Sequence, residues 1–187
     1  GGMMPENFTS NELTGEPANM SIHILLLFTF VAVFLYDAIY KSSLASNVRA
    51  VTILSFLLLT GYVFAMQKLG GFGYRAVNIH LGALFGTNMA FNVWFRIWPA
   101  QQKIITAIKN GEAPDAALLG LAGLRSKHNT YMSVPLVWTM HNQHHVTAPT
   151  ALGIPGEFSW VLPMLMVILG WHIVWQLYKK SATIKGF

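Results

Sequence analysis

The stretch "TMHNQHHVTAP", Thr139 to Pro149, holds three histidines within five positions at the end of an apolar segment. Imidazole nitrogens are the commonest metal ligands in proteins, and a histidine placed in lipid is costly unless it has a partner. His141 and His145 are four residues apart and share a helix face; His144 is adjacent, so a three-nitrogen copper or zinc chelate is conceivable. A second arrangement draws on histidines elsewhere. His80 and His144 fall on the same side of the membrane in the reading below, and His128 and His172 on the other. Imidazoles on different helices at matching depth are what a b-type haem uses as axial ligands. The third reading is plainer: interfacial histidines, His23 among them, that meet water and headgroups.

The elements that must position these groups are apolar. Of 187 residues, 53% are hydrophobic and 10% charged, whereas ordinary soluble domains carry roughly 25% charged residues. Five segments approach the ~20 residues that cross a bilayer as helix: Ile22 to Tyr40, Val48 to Gln67, Val77 to Trp98, Asn129 to Val146 and Phe158 to Tyr178. The runs are continuous rather than alternating, so helices are favoured over barrel strands. The fold expected is all-α, an integral membrane bundle of about five transmembrane helices. A polar tail, residues 1–20, precedes the membrane domain of residues 21–180, and a short tail, residues 181–187, follows it.

Five spans place the termini on opposite sides. Lys41, Arg49, Arg96, Lys103, Lys109, Arg125, Lys127, Lys179, Lys180 and Lys185 fall on the C-terminal side, and only Lys68 and Arg75 on the other. Basic residues concentrate on the cytoplasmic face, which makes the N-terminus periplasmic and the C-terminus cytoplasmic in a bacterial inner membrane. Glu6, Glu12, Glu16 and Glu157 lie on the periplasmic side. The long cytoplasmic connection, residues 99–128, carries helical periodicity, with Pro114 and Asp115 where a helix can begin. The net charge of +5 is spread without a basic, aromatic-interleaved surface, which argues against nucleic acid. The chain has no cysteine, which excludes disulfides, thiolate metal sites and covalent c-type haem. Neither a hydrolase elbow nor a phosphate loop is present.

The third span carries a polar stripe. His80, Leu84, Asn88, Asn92 and Arg96 are spaced four apart on one slowly drifting helix face. Unpaired polar groups are costly in hydrocarbon, so this face should meet protein, a cofactor or water. Asn88 and Asn92 could bond to neighbouring helices. Arg96 could snorkel towards the cytoplasmic surface or pair with Asp37, which lies at similar depth on the first span. Gly82 and Gly86 form a small-xxx-small pair that admits a second helix or a flat ring.

"HLGALFGTNMAFNVWFRIWPAQQK", "GEAPD" and "RSKHNTYMSVPLVW" together resemble the membrane domain of the bacterial cytochrome-c-linked urate oxidases, also called urate hydroxylases. "LYDAIYKS" and "GWHIVWQLYKK" are similar to the corresponding helices, and the likeness covers about Ile22 to Lys180. The resemblance implies a membrane domain of about eight helices, urate oxidation, and electron delivery to a cytochrome c domain. Residues matching the pattern are His80, Asn92, Pro99, Gln101, Arg125, His128, Asn129, His144 and, more loosely, His172; His141 and His145 do not match. About the first three family helices and the cytochrome domain have no counterpart here. The expectation is therefore a membrane subunit of a redox complex that binds b-type haem near the periplasmic face. Other membrane subunits and a c-type cytochrome carrier would complete it. A cofactor-free accessory subunit and a urate-oxidising enzyme fragment are the alternatives.

Overall fold

The computed structural model describes residues 4–5, 8–9, 17–145, 147–181 and 183–184. Glu6, Glu12, Glu16 and Lys185, with most of both expected tails, lie outside the described residues. Among those described there are helices and turns and no strand.

Helix α1 (Met20–Lys41) is started by Asn19, whose side chain accepts from the Ser21 N–H, one of the donors a helix leaves free at its first turn. Asn47 does the same for α2 (Val48–Lys68) through the Ala50 N–H. Helix α3 (Tyr74–Asn92) follows a turn in which Gly71 adopts φ 65°, a left-handed conformation that favours glycine. Asp115 caps α5 (Ala116–Asn142) by accepting from Ala117 N–H, where the sequence places a helix start. A one-turn helix α6 (Ala148–Ala151) leads to α7 (Val161–Ser181). Three stretches, Met20–Lys41, Val48–Lys68 and Gly156–Ser181, are long and apolar enough to cross a membrane. The other two expected spans, α3 and α5, are long helices too, but they are the polar ones.

The cross-links define two ends. At the upper end, where α1 begins, Asn19 Nδ2 donates to Leu69 O at 3.1 Å and Gln67 Nε2 to Ser159 Oγ at 2.9 Å. Tyr74 meets Asn142 there as well. At the lower end, Asp37 gathers Arg96 and Arg125, and Tyr178 donates to Thr130 at 3.2 Å. Helices α1, α2, α3, α5 and α7 thus run alternately down and up.

Helix α3 is the core element: eleven of its 19 residues are buried, and it packs chiefly against α5 and α1. A Cβ on Gly82 would lie 2.6 Å from Thr139 Oγ1, so this glycine lets α5 approach closely. A Cβ on Gly86 meets nothing within 4 Å. The small-residue pair therefore serves a helix at one position only. Gly170 of α7 performs the same service against Pro135 of α5, 3.1 Å away. Pro135 lies inside α5 without ending it.

Below Asn92 the helix widens into a π-turn, Val93–Ile97, and continues as α4 (Trp98–Lys109). Pro99 explains the widening. It has no N–H for the Phe95 carbonyl four residues back, and that carbonyl accepts Arg96 Nη1 at 3.3 Å instead. The connection, 99–128, is helical as its periodicity suggests, but neither helix in it is a free-standing element. α4 prolongs α3, Gly111 turns the chain at φ 74°, and the remainder is the first half of the 27-residue α5.

Candidate functional site

The lower end is built around one carboxylate. Asp37, on the last turns of α1, receives Arg96 Nε at 2.9 Å and an Arg96 Nη2 contact. Arg125 Nη2 donates to it at 3.0 Å, and Lys41, one turn on, lies at 2.9 Å. The π-turn and α5 supply the two arginines from opposite sides. Arg125 is 1% exposed, and its guanidinium lies over the rings of Tyr36 and Tyr40, at 5.2 and 5.7 Å. Desolvated guanidinium is stabilised by the negative face of an aromatic ring as well as by its carboxylate. Three cations around one anion hold α1, the π-turn and α5 in register.

A chain of hydrogen bonds leads from this cluster to an imidazole. Arg125 Nη1 approaches Asn92 Oδ1 at 3.5 Å, which fixes the amide so that its Nδ2 points away. Asn92 Nδ2 then donates to Tyr36 Oη at 2.8 Å and to Asn129 Oδ1 at 2.9 Å. Tyr36 Oη lies 2.8 Å from His128 Nδ1. Tyr36 Oη accepts from Asn92 and has no acceptor other than His128 Nδ1 within reach among the described residues, so its proton is assigned to His128 Nδ1. A neutral imidazole that accepts at Nδ1 carries its proton on Nε2. His128 is therefore a donor at its far nitrogen.

His128 lines an open-sided cavity of about 600 Å³ between α1, α2, α3, α5 and α7 in the lower half of the bundle. Its wall is aromatic and aliphatic, with Tyr36, Tyr62, Phe85 and Trp175 among its members. Two polar atoms of lining residues are buried without a partner: Asn88 Oδ1 and Trp171 Nε1. Asn88 itself is 6% exposed. Buried polar atoms without partners are uncommon in native proteins, and both of these are closed off from the cavity by their surroundings.

The upper end differs. His80 is buried, and its Nδ1 lies 2.8 Å from Ala76 O. A carbonyl only accepts, so His80 holds its proton on Nδ1 and presents a lone pair at Nε2. Its ring meets the edge of Phe72, with centroids 5.3 Å apart. His141 is on the last turn of α5 and His144 and His145 lie just beyond it; all three are exposed. Among the described residues, no hydrogen bond or ring contact joins His144 to His80, and no group of three or more His, Cys, Asp or Glu is placed to hold a metal ion. The expected chelate of His141, His144 and His145 finds no support in that arrangement. His172 is exposed on α7, beside Gln176 and Trp175, and does not line the cavity with His128. Exposed His23 stacks on Phe8 at 5.0 Å.

The polar stripe of α3 faces protein throughout, with His80, Leu84, Asn88 and Asn92 all buried. The two asparagines have different fates: Asn92 joins helices, and Asn88 Oδ1 has no hydrogen-bond partner among the described residues. The sequence singled out neither Tyr36 nor Trp171. Tyr36 precedes Asp37 and lies four residues before Tyr40, an aromatic pair on one face beside a charged residue, which was the available signal.

A family model described as urate oxidase N-terminal matches residues 10–185. No curated protein and no solved structure matches the chain.

Proposed function

The chain belongs to the urate oxidase N-terminal family, and on that premise we propose that it is a membrane-embedded electron-transfer domain with b-type haem ligated by His80. The resemblance read from the sequence and the family match agree over nearly the whole chain. One observation carries the haem reading. His80 is buried on the core helix with Nδ1–H given to the Ala76 carbonyl. That second contact orients the ring and leaves Nε2 as the ligating nitrogen, the usual arrangement around a metal-bound histidine. A haem held there would supply one-electron chemistry at the periplasmic side. The chain's own contribution is the fixed tautomer, the Phe72 edge against the imidazole, and an apolar surround that excludes water. The exposed position of His144 fits a second ligand less well than the sequence suggests. Its place can be taken by a residue of another subunit, consistent with a hetero-oligomeric inner-membrane complex that passes electrons to a c-type cytochrome.

The test is a reduced-minus-oxidised spectrum of the purified protein together with pyridine extraction. A Soret band that His80→Ala abolishes, and that His145→Ala leaves intact, supports the reading. Complete absence of haem from a membrane preparation in which all subunits are retained overturns it, and the accessory-subunit reading then takes its place.

A further inference from the structure

We propose that the cavity beside His128 is a site for an anionic phospholipid of the cytoplasmic leaflet, with one acyl chain lying in the cavity and the phosphate held at its rim by Lys127 and Lys179. The site is separate from His80, and the proposal does not rest on haem. The rim carries the charge. Lys127 lines the cavity, and its Nζ lies over the Tyr178 ring at 4.8 Å. Lys179 Nζ lies 5.0 Å over the ring of Trp175, which also lines the cavity. Exposed Arg49 follows Val48, the lining residue at the start of α2. Among the described residues neither lysine is in a salt bridge, and Asp37, the carboxylate of this end, is already taken by Lys41, Arg96 and Arg125. A ring face orients an ammonium but brings no counter-charge, so both lysines keep theirs for an anion. Basic groups on a pocket between helices at the cytoplasmic side are a known setting for an acidic headgroup.

The wall suits hydrocarbon. Three of its hydroxyls are already spent inside the protein: Tyr62 with Thr29 at 2.6 Å, Thr52 with the Val48 carbonyl at 2.8 Å, and Tyr36 with His128. Asn88 Oδ1 and Trp171 Nε1 are closed off. An apolar occupant takes no partner from any of these groups. The length fits as well. On α2 the lining residues run from Val48 to Tyr62, about 21 Å of helix. Half of a ~30 Å hydrocarbon core is about 15 Å, so the cavity holds a chain of one leaflet over its whole depth. Leu35 and Leu58 are 42% and 40% exposed and leave its side open towards lipid, whereas exposed Leu124 and Lys127 leave its lower end open at the membrane surface. Such an opening matches a molecule that is apolar along its length and charged at one end. A free phosphate would fill the rim alone and leave the apolar length empty.

The experiment uses the full chain in phosphatidylcholine nanodiscs with a trace of phosphatidylglycerol that carries a diazirine on one acyl chain. A phosphatidylcholine probe with the same chains serves for comparison. Cross-linked peptides are mapped by mass spectrometry. The phosphatidylglycerol probe is expected to label the lining residues of α1, α2 and α5 more than the phosphatidylcholine probe does. A lysine near an acidic headgroup is worth about fivefold in occupancy. Lys127→Gln and Lys179→Gln should each lower the phosphatidylglycerol labelling by about that factor, and Lys109→Gln, at the exposed end of α4, should not. Ser55→Trp, which fills the apolar length, should remove the cavity labelling, with helix content unchanged by circular dichroism. If Ser55→Trp fails to fold, the lysine variants decide, since they alter exposed side chains only. Equal labelling by the two probes would make the cavity a slot for any lipid chain. Undiminished labelling in either lysine variant would remove the assigned headgroup site. Label confined to outward residues of α1 and α2, such as Leu27 and Ile53, would leave the cavity to a helix of another subunit. Each of these three results overturns the proposal, whatever the haem spectrum shows.

Discussion

His80 and His128 are the same residue in opposite states. Both are packed between helices and both use Nδ1 in a 2.8 Å contact. At the upper end the partner is a carbonyl, so Nδ1 donates and Nε2 is left with a lone pair. At the lower end the partner is a hydroxyl with no other acceptor for its proton among the described residues, so Nδ1 is assigned as acceptor and Nε2 as donor. The neighbour's hydrogen-bonding sense, not the histidine's place in a motif, decides whether an imidazole suits a metal or a carbonyl. The ends also differ in charge. The upper end is tied by neutral groups, Tyr74, Asn78 and Asn142, and the lower by Asp37 and its cations.

The comparison first requires that the ends face opposite compartments. The ten-to-two distribution of basic residues predicts that a cysteine at Glu157 reacts with an impermeant maleimide added to the periplasm and that one at Asn110 does not. Both positions are exposed. Labelling of Asn110→Cys alone would invert the two ends and move His80 to the cytoplasmic side.

The next largest effect concerns the charged end. Asp37→Asn keeps the shape of the side chain but leaves buried Arg125 without an anion. Breaking a buried ion pair by removing one partner costs about 3–5 kcal/mol, so this variant should lose helical structure at a clearly lower temperature in detergent. Arg96→Gln in the same chain should restore only part of the loss, because Arg125 and Lys41 remain. An unchanged unfolding midpoint for Asp37→Asn would show that the cluster does not hold the lower end together.

The neutral end should respond through packing. Gly82→Ala places a methyl 2.6 Å from Thr139 Oγ1, and overfilling a tight contact costs about 1–3 kcal/mol. Thr139→Ala in the same chain should recover most of that, and failure to recover would mean that α3 and α5 do not approach closest at Gly82.

The helices were legible because lipid-facing segments must be apolar and long. Expected and observed bounds agree within three residues for α1, α2 and α7. They diverge for α5, expected from Asn129 and observed from Ala116, because apolarity reports exposure to lipid and not helicity. Asp37 and Arg96 could be matched by depth, since each lies near the same end of its span. Arg125 could not. It precedes the apolar run, and only the full length of α5 brings it back against α1. The cavity was invisible for a related reason. Its members come from five helices, and what distinguishes Asn88 from Asn92 is whether a neighbour completes a hydrogen bond.

The smallest change sharpens the comparison most. Tyr36→Phe removes one oxygen and leaves the aromatic face over which Arg125 lies. Without the hydroxyl proton, His128 Nδ1 has no enforced partner, and the ring can place its own proton on either nitrogen. Nitrogen-15 chemical shifts distinguish the tautomers of a neutral imidazole directly. In the unaltered protein His128 should show a protonated Nε2 and His80 a protonated Nδ1. In Tyr36→Phe the His128 signals should move towards a mixture while those of His80 stay fixed. Asn92→Ala should act in the same direction by freeing Tyr36 to accept from His128. The folding cost should be modest, since one net hydrogen bond contributes about 1 kcal/mol. If His128 is protonated on Nδ1 from the outset, the two imidazoles are alike, the direction of the Asn92–Tyr36–His128 chain is reversed, and the cavity presents a lone pair where a donor was assigned.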